Sequence, residues 1–249
     1  MHRIAAALLI VAAPGAFAFT AAELADKNVA ATGGTEQLNA IRTLRLSGKL
    51  LVNHGAIEVA YSVLVARPSA IRYEVQLQGL TRIQAYDGSQ AWQVNPFQGR
   101  KDPEKLSADD AKALGEDAAD FAGALVDYQA KGYKLDYLGT EDIDGTEAHK
   151  LRVSRANGDV SYVYLDPDHF LEIRTVNRRI EHGVPKETII DYGDYEKVNG
   201  VYLPFALESY EKGSSDREKL QIDKAEANVA ADKALFEFPA PQTAAAPGK

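Results

Sequence analysis

The chain of 249 residues contains no cysteine at all, and only one methionine and one tryptophan. Without thiols it forms no disulfide, no thiolate zinc centre and no lipid-modified N-terminal cysteine, and thiol catalysis is excluded. A chain this long buries enough apolar surface to fold without covalent staples. Histidine is scarce as well. His54, His149, His169 and His182 follow the N-terminal segment, and no two are spaced i,i+4 or as H-x-H, so the sequence offers no metal site. Basic residues are outnumbered, 28 Lys and Arg against 36 Asp and Glu, for a formal net charge of -8. That balance argues against a nucleic acid or an anionic membrane held by simple electrostatics. G-x-S-x-G, P-loop and dinucleotide fingerprints are also absent, so no catalytic residue and no cofactor are expected.

Long apolar runs are missing except at the start. Met1, His2 and Arg3 precede the run Ile4 to Ala13, a Pro14-Gly15 break and Ala16-Phe17-Ala18. A charged region, an apolar stretch too short to span a bilayer and an A-x-A site read as a signal peptide over residues 1–18, cut after Ala18. The mature chain is therefore expected to be exported and water-soluble.

What fills the remainder is hairpin chemistry. A polar residue followed by glycine recurs at His54-Gly55, Asp87-Gly88, Asp144-Gly145, Asn157-Gly158, His182-Gly183, Asn199-Gly200 and Lys212-Gly213. Between these turns polarity alternates. Leu44, Leu46, Leu50 and Val52 make one apolar row; Ile57, Val59, Tyr61, Val63 and Val65 make another, and Ile71, Tyr73, Val75 and Leu77 a third. This predicts a long antiparallel meander with one apolar face.

One stretch, from Lys105 to Ala130, has a longer period. Leu114, Ala118, Phe121, Leu125 and Tyr128 are spaced as one stripe of a helix, with Ser107 and Asp110 as the N-cap pair and Lys131-Gly132 as the stop. Gly115 is a point where the segment could divide into two helices. A further helix is expected from Ala22 to Ala31, and a short one from Thr35 to Ile41. Residues 19–238 read as one domain and residues 239–249, PAPQTAAAPGK, as a disordered tail. About eleven strands at roughly 4.8 Å spacing form a sheet that must curl, while a helical insertion of about 24 residues reaches at most roughly 36 Å. The sheet either closes into a filled barrel or wraps the helices as a half-barrel with an apolar cavity beneath a lid; a helix inserted within the meander suits the second.

The mixed stretch DYGDYEKVNGVYLP, Asp191 to Pro204, has the composition of an active-site loop but reads as a turn. Asn199-Gly200 suits a type I′ hairpin, and Pro204 suits an edge or bulge. GTEDIDGTEAHKL, Gly139 to Leu151, repeats the theme. The carboxylates of Asp142-Ile143-Asp144 and Asp166-Pro167-Asp168 fall in turns without a calcium-loop pattern.

Several of these stretches, taken in order, carry a resemblance: ATGGTEQLNAIRTLRLSGKL, YDGSQAWQVNP, ADFAGALVDYQAKGYKLDYLGTEDIDGTEAHKLRV, VYLDPDHFLEIR, DYGDYEKVNGVYLPFALE and ALFEFP. Together they resemble the broad family of periplasmic proteins related to the lipoprotein carrier LolA, the outer-membrane lipoprotein-sorting proteins. The resemblance implies a mainly β (α+β) fold, an incomplete antiparallel β-barrel of about eleven strands wrapped around a helical lid, with a cavity for acyl chains. It also implies an arginine near the first strands that holds the lid, for which Arg42, Arg45, Arg67 and Arg72 are available.

Phe121, Leu125 and Tyr128 are the expected cavity lining from the lid, with Tyr61, Tyr73 and Trp92 facing them from the sheet. The function expected is a soluble, monomeric periplasmic carrier of a lipid or lipoprotein acyl chain, acting between inner- and outer-membrane transport partners. The alternative is an envelope-stress regulatory module that binds a membrane protein partner. A hydrolase ranks third, because the sequence shows no polar cluster to serve one.

Overall fold

The computed structural model describes residues 19–240, so the expected signal peptide and the tail from 241 onward lie outside the described residues. Three α-helices are described: α1 (Ala21–Thr32), α2 (Thr35–Ala40) and α3 (Ala108–Ala119). The strands are β1 (Thr43–Val52), β2 (Ile57–Ala66), β3 (Ala70–Leu77), β4 (Leu80–Tyr86), β5 (Ala91–Asn95), β6 (Arg100–Lys105), β7 (Lys134–Ile143), β8 (Thr146–Ser154), β9 (Val160–Leu165), β10 (Glu172–Glu181), β11 (Val184–Val198), β12 (Val201–Glu211) and β13 (Glu218–Ala227). They form one antiparallel sheet of thirteen strands rather than eleven, in the order β6-β5-β4-β3-β2-β1-β13-β12-β11-β10-β9-β8-β7.

That order explains the shape. The chain walks outward from β1 to one edge at β6, crosses to the other edge at β7, and walks back until β13 pairs with β1. The crossing segment, residues 106–133, has to bridge the two edges. A flat sheet of this many strands would be on the order of 58 Å wide, whereas the twelve residues of α3 rise only about 18 Å. A twisted sheet of this many strands curls, and the crossing segment covers its concave face. β6 and β7 do not pair, so the barrel stays open.

Three apolar clusters fasten the helices to that face. Leu24 and Ala25 of α1 pack with Leu125, Leu151, Val153, Val163 and Leu165. Leu38 of α2 joins Leu44, Val126, Val201, Leu203 and Ile222, and Leu114 and Ala118 of α3 sit on Val63, Val65 and Ile71. The caps are as the sequence suggests. Ser107 Oγ accepts from the Asp110 amide at the start of α3, and Thr20 forms a capping box with Glu23 at the start of α1.

The crossing helix is shorter than the periodicity predicts. α3 ends with Asp120 as its C-cap, and Gly123 at φ 101° turns the chain out of helical register. Residues 121–132 form consecutive turns, so Leu125 and Val126, adjacent in sequence, enter two different clusters. Gly115 does not divide α3. It lets the ring of Tyr86 approach the helix, 3.3 Å from where a Cβ would stand.

DYGDYEKVNGVYLP is the β11–β12 hairpin, with Asn199 and Gly200 both at positive φ. Pro204 pairs with Tyr195 of β11 and lies beyond the β12–β13 ladder, which covers only Ala206 to Ser209, so its missing N–H disturbs no pairing on the β13 side.

Candidate functional site

On the concave face a cavity of about 360 Å³ lies beneath the end of α3 and the turn that follows it. Its size falls within the usual range of small-ligand sites. One wall is apolar: Leu44 and Leu46 of β1, Val63 of β2, Ile71 of β3, Leu207 of β12 and Leu220 of β13, with Phe121 entering from the cover. These side chains offer shape and dispersion, with no directional polar demand.

Arg67 holds the cover at this point. Its Nε donates to Ile41 O at 3.0 Å and its Nη2 to Leu38 O at 3.2 Å, and its guanidinium lies 5.0 Å from the Phe121 ring centroid. Among the four candidate arginines, Arg67 is the one in contact with the covering segment. Arg72 instead donates to Leu235 O on the opposite face of the sheet.

The other end is charged. Glu116 and Asp117, in the last turn of α3, and Asp120 just after it face Arg155, Ser161, Glu172, Thr175, Asn177 and Arg179 of the β8–β9 turn, β9 and β10. Arg155 Nη2 lies 2.7 Å from Asp120 Oδ2, and its Nη1 donates to Ser161 Oγ at 2.7 Å. Ser161 in turn donates to Asn177 Oδ1 at 2.5 Å. Arg179 bridges Glu116 Oε2 at 3.2 Å and Asp117 Oδ1 at 3.5 Å, while Lys131 Nζ reaches Asp120 Oδ1 at 2.9 Å. The sequence expectation of no polar cluster is thus corrected by the fold.

Burial sets the protonation here. It raises the Asp117 carboxyl above the ordinary range against the opposing pull of Arg179 and Tyr73, and it raises Glu116 despite Arg179, Asn157 and Arg155. Asp117 nonetheless keeps 41 % of its side-chain surface, because it opens onto the cavity. Glu172 is pushed up to about 7, first by burial and then by Asp120. Burial likewise raises Tyr61, Tyr73, Tyr192 and Tyr195, which stay neutral hydroxyls at the charged end. Among the described residues no histidine lines the cavity, and its one serine is held between Arg155 and Asn177.

Of the six residues singled out in the sequence, Tyr61, Tyr73 and Phe121 line this cavity, and Trp92, Leu125 and Tyr128 do not. Leu125 is 1 % exposed inside the α1 cluster, and Tyr128 packs against the same cluster. Trp92 is on the other face of the sheet. Ile71 pairs with Tyr86 and Tyr86 with Ala91, so it is Ala91 that faces inward and its neighbour Trp92 that faces out. There the indole donates to Phe236 O at 2.7 Å beneath the C-terminal strap. The polar cluster had one sequence signal, the run Glu116-Asp117-Ala118-Ala119-Asp120. It puts three carboxylates at the C-terminal end of a helix, where the dipole disfavours them.

No protein-family model and no curated protein sequence matches the chain. Solved structures do match its fold. A LolA superfamily protein from Nitrosomonas europaea has a TM-score of 0.60 at 13% identity, covering 88% of this chain and 99% of that one. A domain from Vibrio parahaemolyticus described as a putative outer membrane lipoprotein-sorting protein has a TM-score of 0.58 at 11% identity, covering 87% and 95%. A DUF1329 family protein from Desulfovibrio piger has a TM-score of 0.52 at 12% identity, covering 87% and 97%. The fold is the LolA-like open barrel. Among the described residues no helix is long and apolar enough to cross a membrane.

Proposed function

We propose that this LolA-like chain is a carrier of the bacterial envelope: a periplasmic, non-catalytic protein that shelters the acyl chain of a lipid or lipoprotein between membranes. One observation carries this reading, the cavity whose apolar wall runs from β1–β3 to β12–β13 and is covered by Phe121. A packed core fills its interior, whereas this one leaves room beside aliphatic side chains. The fold alone names no function, so the site's chemistry has to supply it. Tyr61, Tyr73 and Phe121 are the sequence-derived ligand contacts that remain in this reading.

The test is native mass spectrometry with organic extraction of protein purified from a periplasmic fraction, alongside displacement of a fluorescent fatty acid. A co-purifying lipid, or saturable probe binding with one site per chain, is the expected result. Empty protein that also fails to bind the probe would overturn the carrier reading.

A further inference from the structure

We infer that the tips of the β1–β2, β3–β4 and β5–β6 hairpins form a rim that docks on an anionic lipid bilayer, with Ile57, Leu80 and Phe97 entering the interface. This goes beyond the carrier reading, on which it draws only for the path the cargo would take.

Exposure marks these three side chains first. Ile57 is 38% exposed, and Leu80 and Phe97 are each 43% exposed, at turns where a polar residue would sit in water without cost. Topology sets them side by side. β1 to β6 are successive antiparallel neighbours, so their three hairpins turn at the same end of the strands, with tips two strand spacings or roughly 10 Å apart. Leu77 pairs with Leu80, and counting outward from the Ile83–Val94 pair brings Leu80 level with Phe97 in the turn Pro96–Gln98.

The rim is continuous with the cavity wall. Ile57 is the outer end of the apolar row that runs through Val59, Tyr61 and Val63, and Leu77 is the outer end of the row through Tyr73 and Val75. Tyr61, Val63 and Tyr73 line the cavity, while α3 packs over the inner part of both rows, on Val63, Val65 and Ile71. Leu80, paired with Leu77, faces the same side of the sheet. From Tyr61 to Ile57 the strand covers about 14 Å. An acyl chain leaving a bilayer at the rim therefore meets apolar side chains all the way to the cavity.

Charge selects the partner. The chain carries a net charge of -8, yet residues 53–57, 77–82 and 96–101 contain no Asp or Glu and include Arg82, Arg100 and Lys101. Just beyond the tips, Glu58 pairs with Lys49 at 3.0 Å and Glu104 with Arg100 at 2.7 Å. That leaves Arg82 and Lys101 against Asp102, a locally positive rim on an acidic protein. An anionic head-group layer repels the bulk of the chain and accepts this end, which fixes the orientation of docking. Three separate side chains on turn ends make no pocket for a rigid partner, whereas a fluid interface receives each of them independently.

The experiment is vesicle flotation of protein purified from a periplasmic fraction, with phosphatidylcholine vesicles containing about one quarter phosphatidylglycerol. Wild-type protein should float with the vesicles. The Ile57→Ser, Leu80→Ser, Phe97→Ser variant, checked for folding by circular dichroism, should bind them at least about tenfold more weakly. Phe97→Ser alone should lose about threefold, which keeps the test open if the triple variant is destabilised. Arg82→Gln, Lys101→Gln should also lose at least about threefold and show less dependence on salt. All of these variants should bind a fluorescent fatty acid in solution as the wild type does, because none changes a residue of the cavity lining. Wild-type protein that stays in the soluble fraction, or apolar-tip variants that float as well as wild type, would overturn the docking rim, and retained probe binding would then leave the carrier reading standing. Self-association that the triple variant abolishes, without flotation, would assign the row to a second copy of the chain and overturn the rim as well.

Discussion

The guanidinium of Arg67, at the end of the β2 hairpin strand, stacks 5.0 Å from the ring of Phe121 on the covering segment and at the same time donates to the carbonyls of Leu38 and Ile41. One side chain thus ties together α2, the start of β1 and the cavity cover. Arg67→Ala removes two hydrogen bonds and a cation–π contact, a loss of about 2–3 kcal/mol. Arg67→Lys keeps the charge but not the planar fork, and should fall between the two. Hydrogen exchange is the direct measurement: amides of residues 121–126 should lose protection in Arg67→Ala while those of β8 and β9 keep theirs. Unchanged protection in the cover would refute the clamp.

A second prediction concerns two glycine motifs that lie far apart in sequence. Gly33 ends α1 at φ 137°, and a Cβ built on it would stand 2.6 Å from the carbonyl oxygen of Gly200 in the β11–β12 turn. The helix end and the hairpin tip touch through backbone alone. Gly33→Ala adds a steric clash to backbone strain and should cost about 2–4 kcal/mol in urea denaturation. Gly55→Asn is the control. Gly55 also has positive φ, 82°, but nothing lies within 4 Å and asparagine tolerates that conformation, so its cost should stay within about 1 kcal/mol.

This contact shows which parts of the fold were legible in the sequence. Turn dipeptides are local, and each of the seven polar-glycine pairs lies at a hairpin connection, as does Gln78-Gly79 between β3 and β4. One strand beyond the expected number is β6, RKDPEK, an edge strand of charges and a proline with no apolar row to announce it. Helical spacing misassigned Leu125 since periodicity carries no information past Gly123, where the chain leaves the helix. The charged end of the cavity draws on residues from 116 to 179, and only register and curvature bring them together.

Titration gives a third expectation. Glu172 has a folded value of about 7 against an ordinary 4.5, so the folded state holds the proton that the unfolded chain releases. Its contribution is complete below the unfolded value and is lost as pH rises through about 7; Asp117, raised for the same first cause, has the same sign. The empty protein should therefore be less stable at pH 8 than at pH 5.5. Glu172→Gln removes the charge without changing the shape and should stabilise the protein at both values, by on the order of 2 kcal/mol more at pH 8 than at pH 5.5. Urea midpoints for both proteins at both pH values decide it. A wild-type midpoint that rises from pH 5.5 to 8, with no gain in the variant, would mean that Glu172 is charged and satisfied.

The last prediction separates cover from core within five residues. Leu125 is 1 % exposed against Leu24, Leu151, Val153, Val163 and Leu165, where no water reaches, while Phe121 lines the cavity. A carboxylate at position 125 has no partner and no solvent, at a cost of several kcal/mol, comparable with the roughly 5–15 kcal/mol that holds a whole domain together. Leu125→Glu should accordingly lose its β-type circular dichroism in one cooperative transition at or below room temperature. Phe121→Glu differs, because its charge can turn into the cavity and recruit water there, and the strands do not rely on Phe121 for their backbone hydrogen bonds. That variant should keep the wild-type spectrum and lose at least about tenfold in affinity for a fluorescent fatty acid, since a charge would then stand where the alkyl chain lies. A folded Phe121→Glu protein that binds the probe as tightly as wild type would place the acyl chain somewhere other than this cavity.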